Sequence, residues 1–136
     1  MFNIILACDN SNGIGLDNKL PWNFKKDMEY FKKITTSNNQ YQKSIVIMGR
    51  NTMESLPKKH LPNRINIVIS NKLNETDNKN VIVKNTFESA LLYSYKISGV
   101  ISENIWVIGG AQFYQEAFNH RHLNKIYYTL IDKKLP

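Results

Sequence analysis

Cysteine is almost missing from this chain of 136 residues. Cys8 stands alone, so no internal disulfide can staple the fold, and its apolar neighbours mark it as a small buried hydrophobe. Histidine is nearly as scarce. His60, His120 and His122 have no spacing that suits zinc, and no metal site is expected. No apolar run approaches membrane-spanning length, and the first residues lack the basic and then apolar segments of a secretory signal. A reducing, cytoplasmic setting without a membrane partner is the expectation. Acids are scarce relative to bases in one region only: residues 19–64 carry ten lysines and arginines against Asp27, Glu29 and Glu54, which accounts for the whole net charge of +7. Such a basic half can attract nucleic acid, membrane or small polyanions, and it can equally be a solvated face. Aromatic residues are not interleaved with the bases as a single-strand binder requires, so no nucleic-acid partner is expected. Asparagine is abundant beside lysine, a combination that an AT-rich genome can produce without functional demand.

The chain does hold a regular alternation of short apolar runs and helical patterns. Runs at 2–8, 44–48, 65–69, 81–83, 105–108 and 126–131 are apolar throughout, as strands buried on both faces are. Helical spacing occupies 24–36, a short stretch at 53–56 stopped by Pro57, a segment opened by an Asn85–Glu88 capping box, and a segment carrying Phe113, Tyr114, Ala117 and Phe118. The length suits one domain spanning 1–136. The expected fold is α/β and three-layered, with a mostly parallel central sheet and helices on both faces. In such sheets ligands bind beyond the carboxyl ends of the strands.

Residues 20–36, LPWNFKKDMEYFKKITT, carry the sharpest local signal. Asn23 is a good N-cap, and Phe24, Met28, Phe31 and Ile34 form one apolar face. Asp27 lies on that face, while Lys25, Lys26, Glu29, Lys32 and Lys33 take the wet side. Two readings compete. An acid in the first helical turn suits the helix dipole. Alternatively, a carboxylate in an apolar cleft binds a cationic or amidine-like ligand and tunes its protonation.

Glycine closes two further strand patterns. In Gly49-Arg50-Asn51-Thr52 a strand ends at glycine and a helix starts, so free N–H groups and Arg50 could hold phosphate. Gly109-Gly110 repeats the arrangement, with Ala111 allowing close backbone approach. Two helix starts at one sheet edge could take the two ends of a dinucleotide. Each junction alone is a short motif with a high false-positive rate. Gly13-Ile14-Gly15 is no Rossmann fingerprint, because it lacks a third glycine and leads into a loop.

Leu20-Pro21-Trp22-Asn23, with Asp27 five residues after Trp22 and then Phe31 and Thr35, resembles the signature of the dihydrofolate reductase family. Asn12-Gly13-Ile14-Gly15, Asn18 and Leu20 fit the same family, and the resemblance covers nearly the whole chain. It implies an oxidoreductase that uses NADPH to reduce 7,8-dihydrofolate to tetrahydrofolate, with hydride to pterin C6 and a proton to N5. Asp27 would pair with the pterin N3 and 2-amino edge, supported by Thr129, and a water near Trp22 would donate the proton. Ile5, Ala7 and Ile108 would surround the pterin. Phe31, Ser55, Leu56 and Leu61 would wall the pterin and benzoyl pocket, and Arg64 would clamp the α-carboxylate of the glutamate tail. On the cofactor side, Arg50, Ser70, Asn71 and Lys72 would hold the 2′-phosphate end. Gly49, Asn51, Thr52, Gly109, Gly110, Ala111, Gln112 and Phe113 would surround the diphosphate. Tyr114 and Leu20 would lie near the nicotinamide, with Ala7, Ile14, Gly15 and Asn18 as further cofactor contacts.

Plain structural roles stand beside these. Arg64 could follow a proline turn at the surface, Phe113 and Tyr114 could be core, Trp22 could be an anchor, and Thr129 suits any strand. Met53 occupies a position where the family usually has an aromatic. The family also continues past the equivalent of Lys133 with a loop and two more strands, whereas this sequence stops at Pro136. The expectation is a domain incomplete at its C-terminus, with an open apolar edge at 126–131. It would be the front of a longer polypeptide, fused to or associated with thymidylate synthase. An inactive truncated paralogue, or a non-catalytic basic binding module on the same fold, is the alternative.

Overall fold

The computed structural model describes residues 1–8, 31–36, 43–72, 78–98 and 104–130, with residues 7–8 and 128–130 described in backbone only. The strands are β1 (Phe2–Cys8), β2 (Ile45–Gly49), β3 (Ile65–Ile69), β4 (Val81–Lys84), β5 (Ile105–Gly109) and β6 (Leu123–Leu130). The helices are α1 (Arg50–Ser55), α2 (Phe87–Ser98) and α3 (Ala111–Phe118), and residues 31–35 are helical as well. The strands form one sheet in the order β4-β3-β2-β5-β1-β6, and each described pairing is parallel. Among the described residues β6 lies at one margin of the sheet, and Ile126 on it is 46% exposed.

Alternate residues explain why the sheet needs cover on both sides. Ile4, Leu6, Ile45, Ile47, Ile67, Ile69, Ile105 and Val107 face one way and pack against Phe87, Ala90 and Leu91 of α2 and Tyr114 and Ala117 of α3. Ile5, Val46, Met48, Val68, Trp106 and Ile108 face the other way and pack with Phe31, Met53, Leu56 and Leu61. Met53, which stands where the family usually has an aromatic, is buried in this second core. Fully burying one such side chain contributes about 1.5–3 kcal/mol.

The start of α2 differs from the sequence expectation. The reciprocal cap is made by Thr86 and Ser89, not by Asn85 and Glu88. The Ser89 N–H donates to Thr86 Oγ1 at 3.0 Å, and the Thr86 N–H donates to Ser89 Oγ at 3.2 Å. A cap of this kind is worth about 1 kcal/mol, less than one buried leucine. It fixes where the helix begins, while the inner face holds the helix down. Glu88, released from capping, lies 2.6 Å from His120 Nε2.

That contact belongs to a joint between α2, the turn after α3, and the starts of β1 and β6. His120 Nδ1 accepts the His122 N–H at 3.0 Å, so the neutral ring carries its proton on Nε2, facing Glu88. His122 Nδ1 lies 3.1 Å from Tyr95 Oη, and the His122 carbonyl accepts the Phe2 N–H at 3.2 Å. Desolvation lowers the His122 pKa from its ordinary 6.5, with help from His120, Arg121 and the amino terminus and opposition from Glu88. A histidine whose folded pKa is depressed binds fewer protons than its unfolded counterpart. Its contribution to stability is present above 6.5 and is lost as pH falls through the lowered value. Melting temperature should therefore decline as pH falls below 6.5 in the wild type and less steeply in His122→Asn. Equal slopes in the two proteins would remove His122 from the acid sensitivity.

Candidate active site

Because every described strand points the same way, their carboxyl ends share one edge. There β2, β3 and β4 and the starts of the following helices bound a cleft of about 600 Å³. Gly49, Arg50, Asn51 and Thr52 line it from the β2–α1 junction, and Ser70, Asn71 and Lys72 from the end of β3. Gly110, Gln112 and Phe113 line it from the start of α3. Neither Gly49 nor Gly110, the N-caps of α1 and α3, makes a side-chain hydrogen bond to its helix. Early N–H groups of a helix left without a side-chain acceptor suit an anion.

Two glycines make the junctions geometrically possible. A Cβ on Gly49 would sit 2.7 Å from Phe113 Cε2 and 3.8 Å from Gly110 N, so the two helix starts touch. Gly109 has φ +129°, a region that side chains rarely adopt, and is joined to Gly110 by a cis peptide. Arg50 Nε donates to Glu54 Oε1 at 3.0 Å in an exposed pair. Such a pair is worth about 0.3–0.5 kcal/mol, little enough for Arg50 to turn to a phosphate. The Lys72 N–H donates to Ser70 Oγ at 3.1 Å, which winds the turn beyond β3. Basic side chains, uncapped helix starts and close backbone approach fit a phosphorylated dinucleotide.

On the opposite face of the sheet, Arg64 is only 9% exposed. Its Nη1 donates to Thr35 Oγ1 at 2.8 Å and its Nε donates to the Pro62 carbonyl at 3.0 Å. Thr35 Oγ1 in turn donates to the Phe31 carbonyl at 2.8 Å. The ion pairs among the described residues are Arg50–Glu54 and Glu88–His120, and neither includes Arg64. Burial pushes its pKa down to about 10, so it keeps its charge at neutral pH while poorly hydrated. A fork-shaped cation held in place without a carboxylate is prepared to receive one. Phe31, Leu56 and Leu61, all buried, form the apolar wall of the same core.

Most of the expected site residues converge. The cofactor group around Gly49 and Gly110 shares the cleft, and Ile5, Phe31, Leu56, Leu61 and Ile108 share one core. Ala7 and Thr129 are register partners on β1 and β6. Others differ in detail. Ala111 is exposed and does not line the cleft. Ser55 is exposed, and its hydroxyl donates back to the Thr52 carbonyl at 2.7 Å. Tyr114 is buried, with Oη 3.0 Å from the Ile5 carbonyl and 2.8 Å from the Ile108 carbonyl. That contact lies beside a register slip that sets Met48 against Gly109. Ile14, Gly15, Asn18, Leu20, Trp22 and Asp27 lie outside the described residues. Sequence reasoning missed Ile69, Asn85, Thr86, Phe87, Glu88 and Glu116, which also line the cleft. The signal for residues 85–88 was topological: they follow the carboxyl end of β4, the neighbour of β3.

A parallel sheet with helix starts gathered around a cleft at its carboxyl edge is the architecture of nucleotide-binding α/β proteins. Comparison narrows the class. The family model described as dihydrofolate reductase matches residues 1–136. A putative dihydrofolate reductase of Caenorhabditis elegans is 38% identical, over 96% of this chain and 71% of its own length. A bifunctional dihydrofolate reductase-thymidylate synthase of Daucus carota is 36% identical, over 98% of this chain but only 26% of its own length. Among solved structures, Schistosoma mansoni dihydrofolate reductase superposes with a TM-score of 0.82 at 38% identity, covering 99% of this chain and 75% of that one. The chain belongs to the dihydrofolate reductase family of oxidoreductases.

The glycine contacts generate a testable contrast. Gly49→Ala should destabilise by about 1 kcal/mol, as overpacking does, and the cost should largely vanish in a Phe113→Ala background. Gly109→Ala should cost about 1–3 kcal/mol through its backbone, with no recovery in that background. A double-mutant cycle from urea unfolding measures both. Full additivity of Gly49→Ala with Phe113→Ala would show that the ring is not what Gly49 accommodates.

Proposed function

We propose that this chain reduces 7,8-dihydrofolate to tetrahydrofolate at the expense of NADPH. The observation that carries the reading is Arg64: a buried guanidinium, pinned by Thr35 and Pro62 and facing no carboxylate among the described residues, beside an apolar wall. A ligand with an aromatic body and a terminal carboxylate is what such a recess accepts. The family and the cleft across the sheet support a nicotinamide cofactor opposite it, and the clustering of Arg50, Ser70, Asn71 and Lys72 favours the phosphorylated form.

In this reading Arg64 holds the α-carboxylate of the glutamate tail by its fork, and Phe31, Leu56 and Leu61 wall the benzoyl group. Asp27 pairs with the N3 and 2-amino edge of the pterin, supported by Thr129, and sets its orientation and electrostatics. A single carboxylate cannot both grip that edge and reach N5, so a water near Trp22 delivers the proton. NADPH, when bound, supplies the hydride that reaches pterin C6. Arg50, Lys72 and the uncapped starts of α1 and α3 hold its phosphates, and Leu20 excludes water from the reacting rings. The bifunctional relatives favour thymidylate synthase as a fused or associated partner.

NADPH oxidation followed at 340 nm with dihydrofolate, with and without an antifolate, tests the activity. Asp27→Asn should slow hydride transfer strongly at pH 7 and less in acid, where the substrate arrives protonated. Single-turnover rates across pH decide this, and a variant as fast as wild type at pH 7 would exclude Asp27 from the mechanism. Arg50→Ala should weaken NADPH about ten- to a hundredfold, as loss of a charged hydrogen bond does, and leave NADH nearly unchanged. Equal losses for both cofactors in titrations would place the 2′-phosphate elsewhere.

A further inference from the structure

We infer that Asn66, a residue outside the recess itself, is a positioning residue that determines specificity for folates carrying a glutamyl tail. Asn66 is the second residue of β3 and is 2% exposed. Its side-chain amide treats Leu61 as a neighbouring strand would: Oδ1 accepts the Leu61 N–H at 2.8 Å and Nδ2 donates to the Leu61 carbonyl at 2.9 Å. Nδ2 also donates to the Arg64 carbonyl at 3.0 Å. One buried side chain therefore fixes both the apolar wall at Leu61 and the backbone of the clamp at Arg64. Between them Asn63 takes a left-handed φ of +66°, so the turn is sharply wound. The amide satisfies two of its carbonyls and one N–H, polar groups that are costly to leave unpartnered in a buried site. Thr35 pins the guanidinium from the helical side. Asn66 sets where the base of that guanidinium stands relative to Leu61, and that spacing is what a benzoyl group followed by a carboxylate must match.

The inference rests on Arg64 holding the tail carboxylate, and the experiment separates the two. Dissociation constants are measured for folate and for a pterin lacking the p-aminobenzoylglutamate, with wild type, Asn66→Ala, Asn66→Ser, Arg64→Ala and Arg64→Ala/Asn66→Ala. Both Asn66 variants should weaken folate about tenfold or more, Ala more than Ser. The tail-less pterin should change less than twofold, and kcat at saturating dihydrofolate should stay near wild type. Adding Asn66→Ala to Arg64→Ala should cost folate little more. If Asn66→Ala weakened both ligands equally, or its loss were fully additive with that of Arg64→Ala, Asn66 would be merely structural. If Arg64→Ala itself spared folate, the assignment of the recess would fail first, and the inference with it. A measurement on wild type covers variants that do not fold. The Leu61 amide should exchange slowly with deuterium, and folate but not the tail-less pterin should slow it further. Exchange at the rate of an open loop, or equal slowing by both ligands, would overturn the inference.

Discussion

A sheet made of parallel strands must be covered on both faces, and most of what this molecule can do follows from that constraint. Each strand buries side chains in both directions, so each connection has to cross the sheet before the next parallel strand begins. All strands then end at one edge, and the helices that return begin there. The glycine-bounded starts of α1 and α3 meet because the chain is packed in this way; no local sequence pairs residue 49 with residue 110. The second core places Arg64 and its apolar wall on the other side of the sheet from α2 and α3. One packing rule thus yields a basic, glycine-bounded cleft at the carboxyl edge and a buried cation beside an apolar wall on the other face.

The two surfaces differ in how their cations are held. Arg50 is exposed and, among the described residues, paired with Glu54, so its charge is screened by salt. Arg64 is buried, braced at two of its nitrogens and deprived of hydration. A cation of the first kind can adjust to a flexible phosphate ester. A cation of the second kind selects for a planar carboxylate at one place and loses much if that anion is displaced. The excess of basic residues between 19 and 64 thus includes cations held in two different ways, which net charge alone does not reveal.

Much of the fold was legible because apolar runs and turn residues are local signals. The limits of β1 and β3 coincide with their apolar runs. β2 begins and ends one residue later than its run, and β5 extends one residue further, each ending in a glycine. β6 begins earlier than its apolar run, at Leu123. Asn124 there donates to Asn3 Oδ1 at 3.2 Å across the β1 pairing, and a strand at the described margin tolerates such polar residues. Asn85, the cap read from the sequence, and Thr86 are both chemically competent, and the helix start at Phe87 makes Thr86 the cap. The candidate site was legible where a motif marked it. Arg64 itself was named through the family resemblance; what no local pattern showed is its burial and its tie to Thr35, 29 residues earlier. The site was not legible at Glu116, which joins the cleft through helix packing alone.

The contact between Gly49 and Phe113 has a consequence for how such a site can change over generations. While Phe113 keeps its place a side chain at residue 49 costs about 1 kcal/mol, because its Cβ would stand 2.7 Å from the ring, and the cost falls once residue 113 has become smaller or has turned away. The substitutions are therefore ordered: the one at 113 is permissive, the one at 49 conditional on it. A survey of tolerated residues made one position at a time would assign the whole cost to Gly49. The constraint belongs to the pair, and lineages in which 113 is no longer aromatic are where position 49 is released to vary.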